Sequence, residues 1–241
     1  MDMGKDILFK EIADIMKRNS DFLNLNAKQF YEEILELLND PVDFMEDLCN
    51  LFHITREGRN LDRLRDLFLR DAMLVYLHNI LFPSVFSLYI NVLLGNFPAF
   101  LRDLRFMIES LAKCYVVDIK CPEKNVLEKI KVISKWRGER RILRALDSEL
   151  NTKSRATKLW HKLSEESHLS GYVKRIIENI EIVGAPPDWA LTPAPWRELR
   201  GEDIDEILDP KRGFHIFLCE FREILNIAWK KYLSKLEIER K

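Results

Sequence analysis

Apolar residues recur every three or four positions along most of the chain, which is the spacing of one buried face of an α-helix. The pattern begins near the N-terminus, at Leu8, Ile12, Ile15 and Met16. Asn26 followed by Gln29 predicts a capped helix start. Asp40 followed by Pro41 predicts another start, because aspartate caps helices and proline suits their first turn. Asn60 predicts the start of a further helix.

The middle of the chain carries no charged residue over positions 72–101, a stretch of 30 residues. A membrane-spanning helix needs roughly 20 apolar residues, so this stretch is long enough to be one. Pro83 near its middle and several asparagines and serines favour helices buried within a bundle, with no membrane partner. A membrane anchor at residues 72–94 is the alternative interpretation. Gly95 and Pro98 predict the turn to the next helix.

The same spacing predicts a series of helices after this turn, over residues 98–120, 125–136, 139–150, 154–163 and 172–183. A last helix begins near Asp209 and Pro210. Its apolar residues alternate steps of four and three, as in a coiled coil, at Phe214, Leu218, Phe221, Leu225, Ala228 and Tyr232. This seam is more apolar than a lone helix end requires, so we expect a homodimer.

Residues 184–200 differ from the rest of the chain because four prolines exclude regular structure there. Trp189 and Trp196 give the same segment a large apolar surface. A loop of this length is commonly functional or packed as a cover. Two interpretations stay open, a strap across the bundle or a contact with a protein partner.

These patterns together predict an all-α fold, a bundle of eight to ten helices with a long C-terminal helix. The chain has 241 residues, 47% hydrophobic and with only 8 glycines, which suffices for one compact domain. We divide it into a helical segment, a central bundle, the proline- and tryptophan-containing loop and a C-terminal helix, at residues 1–60, 61–183, 184–200 and 201–241. The 4 cysteines form no CxxC pair, which predicts free thiols in the cytoplasm.

Charge is unevenly distributed although the net charge of the chain is −1. Residues 1–71 carry 10 basic and 16 acidic side chains, whereas residues 124–162 carry 12 basic and 4 acidic ones. The two regions could pair with each other, within or between subunits, or the basic one could present a positive face to a polyanion. Solvated helix faces are the simpler interpretation.

The common catalytic motifs are missing from the sequence. It contains neither a phosphate-binding glycine loop nor an HExxH, GxSxG or zinc framework. We therefore predict no metal site and no cofactor.

One constellation could carry chemistry, namely Arg155, Lys158 and His161 within the basic region. Cleavage of RNA without metal needs a group that moves a proton near neutral pH, which imidazole does, and a cation that stabilises the phosphorane, which guanidinium does. It also needs a basic surface to hold the backbone. A structural or solvated histidine is the alternative interpretation of His161. Six residues of helix place the two side chains about 120° apart, so they converge only if the helix bends or a second chain contributes one of them.

An Arg separated from a His by five residues on a helix of an all-α domain resembles the HEPN superfamily (higher eukaryotes and prokaryotes nucleotide-binding). Leu104-Arg105-x-x-x-Glu109 and Leu163-Ser164-x-x-x-His168 also resemble it, and the resemblance covers roughly residues 70–180. It implies a dimer with a composite nuclease site formed by Arg155 and His161, with His168 as a further candidate. Many members are inactive, and Ala156 stands where active members commonly have a polar residue.

The residues expected to bind substrate are Lys158, Arg102, Arg105, Arg140 and Arg141. For Arg105, an ion pair with Glu109 that serves only structure is the alternative. The sequence thus supports two functions, a metal-independent ribonuclease of a toxin or defence type and a non-catalytic helical interaction or regulatory module.

Overall fold

The computed structural model describes residues 3–54, 60–167 and 196–240, which form an all-α bundle, as predicted. No strand occurs in these ranges. The ten helices are α1 (Met3–Asn26), α2 (Lys28–Phe52), α3 (Leu61–Arg70), α4 (Ala72–Leu93), α5 (Phe97–Lys120), α6 (Val126–Lys135), α7 (Glu139–Leu150), α8 (Arg155–Ser167), α9 (Gly201–Leu208) and α10 (Phe214–Arg240).

Helix α5 forms the centre of the bundle. Asn96 caps its first turn by accepting a hydrogen bond from the backbone N–H of Ala99, at 3.4 Å. Fourteen of its 24 residues are buried, far more than one amphipathic face provides. It packs against α4, α6, α7, α8 and α10, so the helices that carry the candidate site are fixed to this central element.

Two helix starts predicted in the first third of the chain are wrong. Asn26 is the last residue of α1, and α2 begins at Lys28. Helix α2 then continues through Asp40 and Pro41 to Phe52 without interruption. The physical reason is tertiary packing, because α2 buries apolar side chains on both sides of Pro41 and Arg222 of α10 donates two hydrogen bonds to the buried Asp40, at 2.8 and 3.0 Å.

Asn60 does precede α3, but its side chain does not cap that helix. The residue has a left-handed φ of 63°. Its amide instead donates hydrogen bonds to the carbonyls of Phe52 and His53, at 3.2 and 3.1 Å, and so ties the start of α3 to the end of α2.

The uncharged middle stretch forms α4, in which residues Tyr76–Leu81 make a π-helical segment just before Pro83. By its length and composition, this helix could cross a membrane. Within its most apolar stretch, 39% of the residues are buried in the fold. It packs against α1, α2 and α5. Its outer face carries an exposed row of uncharged apolar side chains: Phe82, Phe86 and Ile90.

The apolar seam of α10 is buried within the same chain. All six seam residues, from Phe214 to Tyr232, belong to the single hydrophobic core. Trp229 on the same helix stacks on Phe44 of α2, with ring centroids 4.7 Å apart. The seam therefore gives no support to the predicted homodimer, which stays a prediction.

The described end of the 184–200 segment, residues 196–200, is hydrogen-bonded to α1 and to the end of α4, and we call these five residues the strap. The Asn19 side chain donates to the carbonyls of Leu93 and Arg197 and accepts from the N–H of Leu199, each at 2.8 Å. Gly95 has a φ of 67°, and a side chain there would meet the Arg197 carbonyl oxygen at 3.0 Å. Trp196 is half-buried, whereas Trp189 and the predicted helix 172–183 lie outside the described residues.

A buried ion cluster that the sequence did not indicate joins α3, α5, α6 and α10. Lys129 Nζ lies 2.9 Å from Asp118 and 3.7 Å from Asp71. Asp118 accepts the first two backbone N–H groups of α4, at 2.9 and 2.8 Å. Asp71 accepts a hydrogen bond from Tyr232 and two from Arg70, all at 2.8 Å. Burial tends to raise the pKa of Asp71, but these hydrogen bonds outweigh it and hold the pKa below its usual value.

Candidate nucleic-acid interface

A single buried carboxylate organises the junction between α7 and α8. Asp147 accepts hydrogen bonds from Ala156 N at 2.9 Å and from the backbone N–H and hydroxyl of Thr157 at 2.9 and 2.6 Å. It also accepts the Thr152 hydroxyl at 2.5 Å. Asp147 therefore caps α8, whereas Ser154, the first residue of the helix predicted over 154–163, adopts a left-handed φ of 70°. Local spacing could not show this, because Asp147 lies one helix earlier.

Arg155 begins α8 and points toward α10. Its guanidinium binds the Glu223 carboxylate through both terminal nitrogens, with Nη2 at 2.5 Å from Oε2. The hydrogen bond to Glu223 raises the pKa of Arg155, and the same bond lowers the pKa of Glu223. The pair lies at the surface, since the two side chains are 36% and 56% exposed.

His161 lies on a different side of α8 and is 51% exposed. Its Nδ1 is 3.8 Å from the Glu165 carboxylate, and its ring meets that of Trp160 edge to face at 5.7 Å. Six residues of regular helix separate it from Arg155 by about 9 Å along the axis and by about 120° around it. The helix thus leaves the two candidate catalytic side chains apart within one chain.

Arg105 reaches α8 from α5. Its guanidinium carbon lies 5.7 Å from the ring centroid of Trp160. Glu109 holds both residues, because its Oε1 accepts from Arg105 at 2.9 Å and from the Trp160 indole N–H at 2.6 Å. The predicted ion pair of Arg105 and Glu109 is therefore present and supports Trp160, a neighbour of His161 that sequence reasoning missed. Arg102 is exposed.

A row of exposed cationic side chains lies on α7, in the loop after α7 and on α8. We call it the α7–α8 basic face; it consists of Arg140, Arg141, Arg144, Lys153 and Lys158. Among residues 3–54, 60–167 and 196–240, no carboxylate lies within 4 Å of any of these five side chains. Arg144 and Lys153 line one surface depression. Arg140 and Arg141 lie four and three residues before Arg144, so both neighbour it on the surface of α7. The other edge of α8 is neutralised, since Lys162 lies 3.6 Å from Glu220 of α10, beside Arg155 and Glu223.

The acidic N-terminal region does not cover the α7–α8 basic face in the described part of the chain. The one ion pair there between residues 1–71 and 124–162 joins Asp71 to the buried Lys129. The acidic side chains of α2 bind Arg222 of α10 instead, with Glu33 at 3.2 Å and Glu36 closer still. The basic charge of α7 and α8 thus faces solvent.

His168, the third candidate catalytic residue, lies outside the described residues. In the ranges that are described, no three histidine, cysteine or acidic side chains group to hold a metal ion. No protein-family model matches the chain, and neither a curated protein nor a solved structure is similar to it. The resemblance to the HEPN superfamily therefore stays a prediction.

Proposed function

We propose that this chain binds RNA on the α7–α8 basic face and cleaves it without a metal ion, with His161 as the group that transfers the proton. The observation that carries the proposal is the row of exposed, unpaired cations on that face of the described chain, which ends near an exposed histidine. Lys158 lies one helical turn before His161, so both side chains project from neighbouring positions of α8. Cationic side chains of this kind bind the phosphate backbone, whatever its sequence.

In this mechanism the 2′ oxygen attacks the neighbouring phosphorus and the bond from phosphorus to the 5′ oxygen breaks, which leaves a cyclic phosphate and a 5′-hydroxyl. His161 takes the proton of the 2′-hydroxyl or gives a proton to the leaving 5′ oxygen, and solvent water carries the other proton. Arg155, from the same chain or from a second copy, supplies charge to the phosphorane only after it leaves Glu223. The exchange costs little free energy, because one bidentate contact at the surface replaces another. A phosphate oxyanion offers the guanidinium the same bidentate geometry as the carboxylate.

The experiment incubates single-stranded RNA in EDTA with the unmodified protein and with His161→Ala. We expect cleavage by the unmodified protein and its loss in the variant, with RNA affinity retained. Glu165→Gln serves as a control, since it changes the charge next to His161 and leaves the imidazole. Equal cleavage by His161→Ala, or no cleavage by either protein, would refute the catalytic proposal.

The second function is a non-catalytic helical interaction module that works in the cytoplasm. The specific observation in its favour is the exposed row Phe82, Phe86 and Ile90 on α4, since a contiguous apolar patch commonly marks a protein contact. The occupant we propose is a second copy of the chain, because a row of side chains spaced i, i+4, i+8 meets its own antiparallel copy residue for residue. Light scattering at micromolar concentration should find a dimer, and Phe86→Ser should make it a monomer. A monomeric unmodified protein would contradict this.

A further inference from the structure

A surface depression of about 530 Å³ lies where α7 meets the loop before α8. Its lining residues are all of polar or charged types: Arg144, Asp147, Ser148, Asn151, Lys153 and Ser154. Its volume is within the range of about 300–1,000 Å³ that holds small ligands, so it is larger than one phosphate needs.

The depression offers hydrogen-bond donors and almost no free acceptor charge. Within the described ranges, the side chains of Arg144, Ser148, Asn151, Lys153 and Ser154 make no hydrogen bond or ion pair. The one carboxylate, Asp147, already accepts four hydrogen bonds, which fills its capacity of about four. Its charge faces the partial positive charge at the start of α8. Two cations therefore remain without a counter-charge.

The walls of the depression are held in place before any ligand arrives. Besides the hydroxyl contact, Thr152 N donates to the Asp147 carbonyl at 3.1 Å, and Arg155 N donates to the Thr152 carbonyl at 3.0 Å. The loop thus cannot drift away from α7 without breaking buried hydrogen bonds. A loop that is already ordered loses less conformational entropy when a ligand binds, which favours affinity.

We propose that this depression binds the terminal phosphate monoester of an RNA strand, an inference that rests on the proposed RNA-binding function. A monoester carries about −1.5 to −2 charges at pH 7, which two cations complement better than they would the single charge of an internal diester. Arg144 and Lys153 bind its oxygens, with the hydroxyls of Ser148 and Ser154 and the Asn151 amide as further donors. The adjoining nucleoside fills the remaining volume. The strand then continues along α8 toward Lys158 and His161.

The experiment compares short RNAs of one sequence with a 5′-phosphate, a 3′-phosphate or hydroxyls at both ends, together with free AMP. We expect one phosphorylated RNA to bind about tenfold more tightly than the hydroxyl-ended RNA, as charge-assisted hydrogen bonds imply. Arg144→Gln and Lys153→Gln should each reduce that ratio toward one. Arg140→Gln should weaken the binding of all three RNAs by the same factor and leave the ratio of their affinities unchanged. Lys17→Gln, which removes an exposed cation from α1, should change neither the affinities nor their ratio.

The outcomes separate this inference from the function it rests on. Equal affinity for all three RNAs would overturn the terminal-phosphate site and leave RNA binding intact. Absence of binding to every RNA would refute both. Tighter binding of free AMP than of the phosphorylated RNAs would overturn the assignment to a strand end.

Discussion

Single buried polar residues fix contacts between distant parts of this chain. Asn19 is buried and satisfies three backbone groups from two separate segments. Asp147 and Asp118, also buried, each accept two backbone N–H groups, at the starts of α8 and α4. None of them has a periodicity that marks it in the sequence, because a buried asparagine or aspartate on a helix looks like any polar residue of an exposed face.

We expect Asn19→Ala to lower the free energy of unfolding by about 2–3 kcal/mol, because it leaves buried backbone groups without partners. Urea denaturation measures this change. Asn26→Ala is the matched control, since its exposed amide donates only to the Phe22 carbonyl one turn before it. That control should lose no more than about 0.5 kcal/mol. Equal losses in the two variants would contradict the role of Asn19 in holding the strap.

Tyr232→Phe tests the buried ion cluster through pH. The pKa of Asp71 lies below its ordinary value of 3.8 in the folded protein, so its stabilising contribution is present above that value and is lost as pH falls through the folded pKa. Removing the Tyr232 hydroxyl raises the folded pKa of Asp71 toward the ordinary value.

The variant should therefore be less stable at pH 7 by about 1 kcal/mol, and this difference should shrink by pH 3. Urea unfolding of both proteins at the two pH values measures it. A difference that stays constant across the range would show that the tyrosine hydroxyl acts independently of the Asp71 charge.

Between elements, the contact of α8 with α10 decides whether Arg155 is available to a ligand. Glu223 binds the guanidinium of Arg155, and Glu220, three residues earlier on α10, lies near Lys162. Each of these two ion pairs neutralises one positive charge on the side of α8 that faces α10. They differ in geometry, because only the arginine makes a bidentate contact.

We expect Glu223→Gln to raise RNA affinity about fivefold, since it frees Arg155 and removes a negative charge beside the basic face. Glu220→Gln removes the same charge and frees Lys162. If Arg155 takes part in cleavage, Glu223→Gln should also speed cleavage in EDTA, whereas Glu220→Gln should change affinity alone. Identical cleavage rates in both variants would argue against a catalytic Arg155.

The sequence predicted helices well where a local signal and tertiary packing agree. The helix 139–150 is observed with the predicted bounds, and Asn60 does mark the start of α3. The helix start predicted at Asp40 and Pro41 was wrong because α2 buries apolar residues before and after them. This packing outweighs the local signal to begin a new helix. The cap of α8 could not be predicted either, because its acceptor belongs to the preceding helix.

For the whole molecule, the net charge does not indicate the exposed basic surface to which a polyanion would bind. The chain has a net charge of −1, yet the α7–α8 basic face is exposed and the acidic side chains of α2 are bound to Arg222. The sequence showed the uneven distribution of charge. It could not show whether the acidic and basic regions neutralise each other, because that depends on which helices pack together.

The double variant Arg140→Gln/Arg141→Gln should therefore weaken RNA binding and lower its salt dependence. Each lost phosphate contact reduces the slope of log affinity against log salt by about 0.7 for a single strand, so the slope should fall by about 1.4. Titrations at several salt concentrations measure it, with Lys17→Gln as the control. An unchanged slope would place RNA elsewhere on the protein.

Helix α10 supplies several buried aromatic side chains to the core, although it is the last helix along the described chain. During synthesis, the apolar faces of α2 and α5 emerge from the ribosome well before α10, which covers them. The nascent protein must therefore stay in an open, adhesive state until α10 has left the exit tunnel. Chaperones should therefore bind the nascent chain more strongly before α10 emerges than after it.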